Sequence, residues 1–237
     1  RTRHLHSVRD VQSWLSGHMA RVIRTSVESL TVDGLEHLLP GESYLFISNH
    51  RDIVMDSALL NYLLHQAGLD TMRTAVGDNL LSEPYAADLM RLNKSFVVRR
   101  RVTGAKALLK ALSLPSAYIR HSLEEGASIW IAEREGRAKD GMDRADPAVL
   151  KMLALAHRDA PGGFADFVRR VRLVPVSVSY ELDPCDVRKA HELAVVAATG
   201  AYTKAADEDL RSMVDGIIGY KGRVHYGIGA PLDGEFA

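Results

Sequence analysis

Cysteine is nearly absent. Cys185 stands alone among 237 residues, which excludes an intramolecular disulfide and a multi-cysteine zinc site and fits a reducing, cytoplasmic compartment. Net charge is absent as well: Lys+Arg and Asp+Glu are both 30, so no global field points to nucleic acid as a partner, and charge has to be read locally. No run approaches the ~18 uninterrupted apolar residues expected of a transmembrane helix, and the opening residues do not resemble a cleavable signal peptide. The chain itself is therefore not expected to span a membrane. Linkers rich in Pro, Ser or Gly are missing, as are internal repeats, so residues 1–237 read as one domain, with an N-terminal amphipathic helical segment over 1–34 and an α/β core over 35–237.

Present instead is a dense polar segment, Ser48-Asn49-His50-Arg51-Asp52-Ile53-Val54-Met55-Asp56. The apolar run Tyr44–Ile47 before it suits a buried strand, and Asp56–Leu60 after it looks like a helix start. The polar residues thus occupy a strand-to-helix loop, where α/β sheets hold reactive groups open to substrate. An imidazole can take a proton from an attacking alcohol if a carboxylate fixes its tautomer, and either Asp56 or Asp52 is placed to do so for His50. No G-x-S-x-G elbow exists, and no serine or cysteine is presented as a nucleophile. Attack by a substrate hydroxyl is the simpler chemistry. The plain alternative is a loop histidine beside a capped helix.

Further apolar, β-prone runs recur at Ser95–Val98, Ser128–Ile131, Leu173–Val178 and Arg223–Ile228, with helical patterns at 103–125, 145–158 and 204–218. Strand and helix alternate, which predicts an α/β fold with a central mixed or largely parallel sheet flanked by helices. Pro175 is expected at an edge, a strand start or a bulge. Over residues 5–30, Leu5, Val8, Val11, Leu15, Met19, Val22 and Val27 keep helical spacing, and the other face carries Arg1, Arg3, Arg9, Arg21 and Arg24, with Trp14 near the apolar side. Such a helix either docks on an anionic bilayer or packs on the core with its basic face solvated.

Two more clusters follow strand patterns. In Phe96-Val97-Val98-Arg99-Arg100-Arg101 the alternation of an extended segment turns Arg99 and Arg101 one way and Arg100 the other, and arginine's planar fork suits phosphate. In Glu133-Arg134-Glu135-Gly136-Arg137-Ala138-Lys139, Gly136 permits close backbone approach for an oxyanion or phosphate while Arg137 and Lys139 supply charge. Each cluster also reads as a solvated charge run. Together with His50 they point to an anionic substrate bearing a hydroxyl to be activated.

Taken in order, Asn49-His50…Asp56, Phe96-Val97-Val98-Arg99-Arg100, Glu135-Gly136-Arg137 and Val174-Pro175-Val176-Ser177-Val178-Ser179-Tyr180-Glu181 resemble the four blocks of the glycerolipid acyltransferase superfamily, over roughly residues 43–181. The resemblance implies His50 as general base and Asp56 as its orienter. It also implies phosphate binding by Arg99 or Arg100 and by Arg137, with Asn49, Arg51, Glu135, Gly136 and Lys139 in the substrate site, and an acyl-donor or structural role for Pro175. Two departures stand out. Five residues, not four, separate His50 from Asp56, so Asp52 is a second candidate for the orienter. The third block also lacks the residue that commonly separates Gly from Arg, which leaves Arg137 or Lys139 as the phosphate ligand.

The activity so implied is transfer of a fatty acyl group from acyl-CoA or acyl carrier protein to a hydroxyl of a lysophospholipid or glycerol phosphate. It requires no acyl-enzyme, metal or resident cofactor, and it expects a peripheral enzyme on the cytoplasmic face of a membrane. The rivals are another lipid or amino-lipid acceptor, a thioesterase or phosphoesterase, and a non-catalytic lipid-binding protein.

Overall fold

Seven strands form one sheet in the order β1-β7-β6-β2-β5-β3-β4. The computed structural model describes residues 5–78, 84–98, 103–158 and 161–232. The elements run α1 (Val8–Ser26), β1 (Ser29–Asp33), β2 (Leu45–Ser48), α2 (Met55–Gln66), β3 (Arg73–Gly77), α3 (Pro84–Leu92), β4 (Ser95–Val98), α4 (Ala105–Glu124), β5 (Ile129–Ala132), α5 (Pro147–Ala154), α6 (Gly163–Arg170), β6 (Leu173–Tyr180), α7 (Asp186–Thr199), α8 (Glu208–Ile218) and β7 (Arg223–Ile228). Strands β6, β2, β5, β3 and β4 are mutually parallel, whereas β7 runs antiparallel to β6 and parallel to β1. The sheet is mixed and mostly parallel, as the alternating pattern predicts.

Side-chain alternation builds two cores. On one face Phe46, Trp130, Val174, Val176 and Val178 meet Met55, Leu59, Leu60 and Leu63 of α2. On the other, Leu45, Ile129 and Ile131 meet Ile119 of α4, Met152 and Leu153 of α5 and Phe167 of α6. Strands β2 and β5, buried on both faces, read as continuous apolar runs, whereas β6 shows itself by alternating buried and exposed residues.

The N-terminal helix starts at a capping box: Ser7 Oγ accepts the Asp10 N–H and the Asp10 carboxylate accepts the Ser7 N–H. Its stripe of Met19, Val22 and Ile23 packs on the first core, and Arg9, Arg21 and Arg24 are exposed. The second half of the helix thus packs on the core, while Val8 near its start is exposed. The helix ends at Ser26, and Ser29–Asp33 instead forms an edge strand paired with β7. Pro175 lies in an inner strand, not at an edge. It is tolerated because β7 pairing begins only at Val176, while its carbonyl accepts the Gly229 N–H at 2.9 Å.

Helix α8 comes close to the β2–α2 loop at Gly216. A Cβ there would stand 2.1 Å from Asp52 Oδ2, so the glycine is held by space rather than by its backbone angle. Gly216→Ala is expected to lower stability by about 1–3 kcal/mol through overpacking, despite alanine's better helix propensity. Urea denaturation measures this, and an unchanged midpoint would mean that the loop yields freely.

Candidate active site

Strand β2 delivers the polar loop to the carboxyl end of the parallel strands, between β6 and β5. There His50 Nδ1 lies 2.8 Å from Asp56 Oδ2. The loop folds back so that the N–H groups of Arg51 and Asp52 donate to the same oxygen at 2.7 and 3.0 Å. The other oxygen, Oδ1, accepts the Tyr180 hydroxyl at 2.8 Å, and Tyr226 donates to the Asp56 carbonyl at 2.8 Å. Asp56 is 1 % exposed, and a carboxylate so far from water is sustained only by donors of this number and quality. Accepting from Nδ1, it fixes the tautomer that leaves Nε2 with a lone pair.

Asp52 does something else. Its Oδ1 accepts the N–H groups of Val54 and Met55 at 2.9 and 2.8 Å, capping the start of α2. This turn absorbs the extra residue between His50 and Asp56. Burial, and then the neighbouring Asp56 charge, push the Asp52 carboxyl above its ordinary value. Burial also lifts the Tyr180 phenol well above its ordinary value, with the Asp56 charge adding to it, so Tyr180 is a permanent donor at neutral pH.

The loop is fixed from several sides. Asn49 exchanges hydrogen bonds with the Val178 backbone, Oδ1 accepting at 2.8 Å and Nδ2 donating at 3.0 Å, and also donates to Asp143. Arg51 pairs with Asp143 at 2.8 Å, and buried Lys189 donates to the Arg51 carbonyl at 2.7 Å. Asn49 and Arg51, expected in the substrate site, hold the loop to β6 and to the segment around Asp143. Trp130 stands edge-on to the imidazole, with centroids 5.7 Å apart, and donates to Ser48 Oγ at 3.0 Å. Ser48 in turn donates to the Asn49 carbonyl. Its hydroxyl is buried and occupied, which removes it as a nucleophile.

The third cluster meets His50 directly. Ladder bonds continue beyond β2 and β5, from Glu133 N–H to the Ser48 carbonyl at 2.8 Å and from Ala138 N–H to the His50 carbonyl at 2.9 Å. Gly136, at φ 75°, makes the turn between them. His50, Arg134, Glu135, Gly136, Arg137 and Lys139 then line a polar cleft of about 440 Å³. Arg137 is buried beside Asp52 and Cys185, and its Nη1 finds no hydrogen-bond acceptor among the described residues. Lys139 is partly buried, which lowers its pKa, and is paired with Glu192 of α7.

On its other side His50 borders an apolar groove of about 210 Å³, with Val76, Leu108, Leu112, Ile131 and Met152 among its walls. Arg134 and Glu135 reach both spaces. Pro175 lines neither of them, facing a groove with His37 and Gly229 on the open side of β6 and β7. Arg99 and Arg100 lie outside the described residues. Sequence reasoning gave no site role to Tyr180, Tyr226, Arg134 or Asp143, although the first three fall within runs it singled out. For Tyr180 a signal existed, since it falls in phase with buried Val176 and Val178 on β6.

A family model described as Acyltransferase matches residues 29–179. The chain belongs to the acyltransferase family. It is an acyltransferase by that membership, and the match spans His50, Asp56 and the Gly136 turn and ends one residue before Tyr180. Among solved structures, the chain is similar to the 1-acyl-sn-glycerophosphate (LPA) acyltransferase PlsC from Thermotoga maritima, with a TM-score of 0.52 and 12 % identity over 99 % of this chain and 75 % of that one. At that identity the likeness is one of fold. No curated protein matches the sequence.

Two substitutions separate the carboxylates. Asp56→Asn is expected to lower kcat by about 10²–10⁴-fold by loosening the tautomer of His50. Asp52→Ala instead costs about 1–2 kcal/mol of stability through the lost cap, with kcat changed far less. Steady-state kinetics beside urea denaturation distinguishes the two, and equal losses of kcat would reassign the orienter. Tyr180→Phe leaves Asp56 Oδ1 without its donor. It should reduce kcat about tenfold at nearly constant KM and cost about 1–3 kcal/mol, and an unchanged kcat would confine Tyr180 to a packing role.

Proposed function

We propose that this protein moves a fatty acyl group from an acyl-thioester, on coenzyme A or acyl carrier protein, to a hydroxyl of a lysophospholipid or glycerol phosphate at the cytoplasmic face of a membrane. The observation that carries the reading is the position of His50 between a polar cleft with a buried, unpaired guanidinium nitrogen and an apolar groove. The two halves of such a reaction have those characters. A phosphate offers acceptors to Arg137 Nη1, and an acyl chain gains about 0.8 kcal/mol for each methylene removed from water.

In this mechanism the acceptor hydroxyl gives its proton to His50 Nε2 as its oxygen attacks the thioester carbonyl. Asp56 holds the resulting imidazolium through Nδ1. Backbone N–H groups of the Gly136 turn serve the tetrahedral oxyanion. The C–S bond then breaks, and the leaving thiolate takes the proton back from Nε2. No acyl-enzyme forms, so the kinetics are those of a ternary complex.

The test is thiol release from a long-chain acyl-CoA, with and without lysophosphatidic acid or glycerol-3-phosphate. Release should depend on the acceptor and fall by about 10²–10⁴-fold in His50→Ala. Release indifferent to every acceptor would make the protein a thioesterase. Release that responds only to lipids lacking phosphate would move the acceptor class.

A further inference from the structure

A zero net charge conceals one strongly basic stretch. Residues 89–123 hold eight Arg and Lys and no Asp or Glu, so the remainder of the chain is negative by the same amount. The stretch takes in β4, an edge strand of the sheet, and nearly all of α4. Helix α4 packs on the second core through Leu112, Ile119 and Leu123, but its first turns do not follow. Every residue from Lys106 to Lys110 is exposed, with Leu108 and Leu109 at 46 % and 48 % and Leu114 at 72 %. Large aliphatic side chains that open to water on one projecting half-helix are uncommon on a protein surface and mark a contact.

We propose that this half of α4 is the surface by which the protein docks on an anionic lipid bilayer. Lys106, Lys110 and Leu114, each four residues from the next, form one outward row. Leu109 lies beside it. The leucines enter the acyl boundary while the lysine stems run along apolar surface and carry their ammonium groups to lipid phosphates. A stretch without a carboxylate meets no repulsion from such a surface.

Continuity with the apolar groove supports a bilayer over a protein partner. Leu108 and Leu112 are walls of the groove that reaches His50, so a docked α4 sets the groove's entrance at the depth where acyl chains lie. Helix α1, the other basic candidate, packs Met19, Val22 and Ile23 on the core, and among the described residues no helix is long and apolar enough to cross a membrane. That lipid substrates arrive by this route rests on the acyl-transfer reading. The docking itself does not.

The experiment is co-sedimentation of the full chain with vesicles of phosphatidylcholine alone or mixed with phosphatidylglycerol, alongside turnover of a short-chain, water-soluble acyl-CoA. Two pairs are compared, Leu109→Ser/Leu114→Ser and Lys106→Glu/Lys110→Glu, with Arg21→Glu/Arg24→Glu on α1 as reference and thermal melting as a check of folding. Binding should need phosphatidylglycerol, fall about tenfold or more in both α4 pairs and persist in the α1 pair. Failure of the wild type to sediment, or loss confined to the α1 pair, would overturn the proposal. So would α4 pairs that keep vesicle binding but lose turnover with acyl carrier protein as donor, since the patch would then belong to that acidic partner. Vesicle binding of the expected pattern without any soluble turnover would leave docking standing and remove the acyl-transfer reading.

Discussion

A carboxylate removed from water must be answered by donors, and the demand made by Asp56 organises the centre of this molecule. Its two oxygens and its carbonyl gather an imidazole, two loop N–H groups and two tyrosine hydroxyls. Those groups come from the β2–α2 loop, β6 and β7: the charge itself joins the loop to β6, and the Asp56 carbonyl adds β7. The cost of burying the charge is of several kcal/mol and is offset only when every partner is in place. This makes the arrangement specific as well as stabilising. A loop that shifted by one residue would strand a charge, and Asn49, Lys189 and Ala138 hold it against that shift.

What the geometry does chemically follows from where this loop ends. His50 gives Nδ1 to the buried Asp56, and its ring borders two unlike spaces. A single base serves both halves of a two-substrate reaction when the polar and apolar parts of the substrates approach it from opposite sides. Arg137 lies on the polar side, and its buried Nη1 has no hydrogen-bond partner among the described residues.

Much of this was legible in the sequence where the signal was local. His50 and Asp56 are six residues apart and flanked by an apolar run and a helix start, so the dyad and the elements that carry it could be read together. The Gly136 turn followed from a glycine among charges just after β5. Strands β1 and β3 were not legible, because β1 alternates between exposed and half-buried positions and neither is a solid apolar run. Helix α7 buries little beyond Lys189 and so shows no stripe. The tyrosines that complete Asp56 lie 124 and 170 residues away from it, a distance over which periodicity carries no information. The basic N-terminal helix was ambiguous for another reason: a stripe facing a bilayer and a stripe facing a core have the same spacing.

The order of strands has a consequence for the making of the protein. Strand β1 is synthesised before the other described strands, yet among them it hydrogen-bonds only to β7, and Thr31 meets His225 across 194 residues of chain. Until the ribosome has delivered β7, β1 has no edge to join, and α1 leans on a sheet that is still missing its outer pair. Closure of so long a loop is slow relative to local contacts. The earliest of these strands is therefore the last to be paired, and it stays open to chaperones and proteases until β7 has been made.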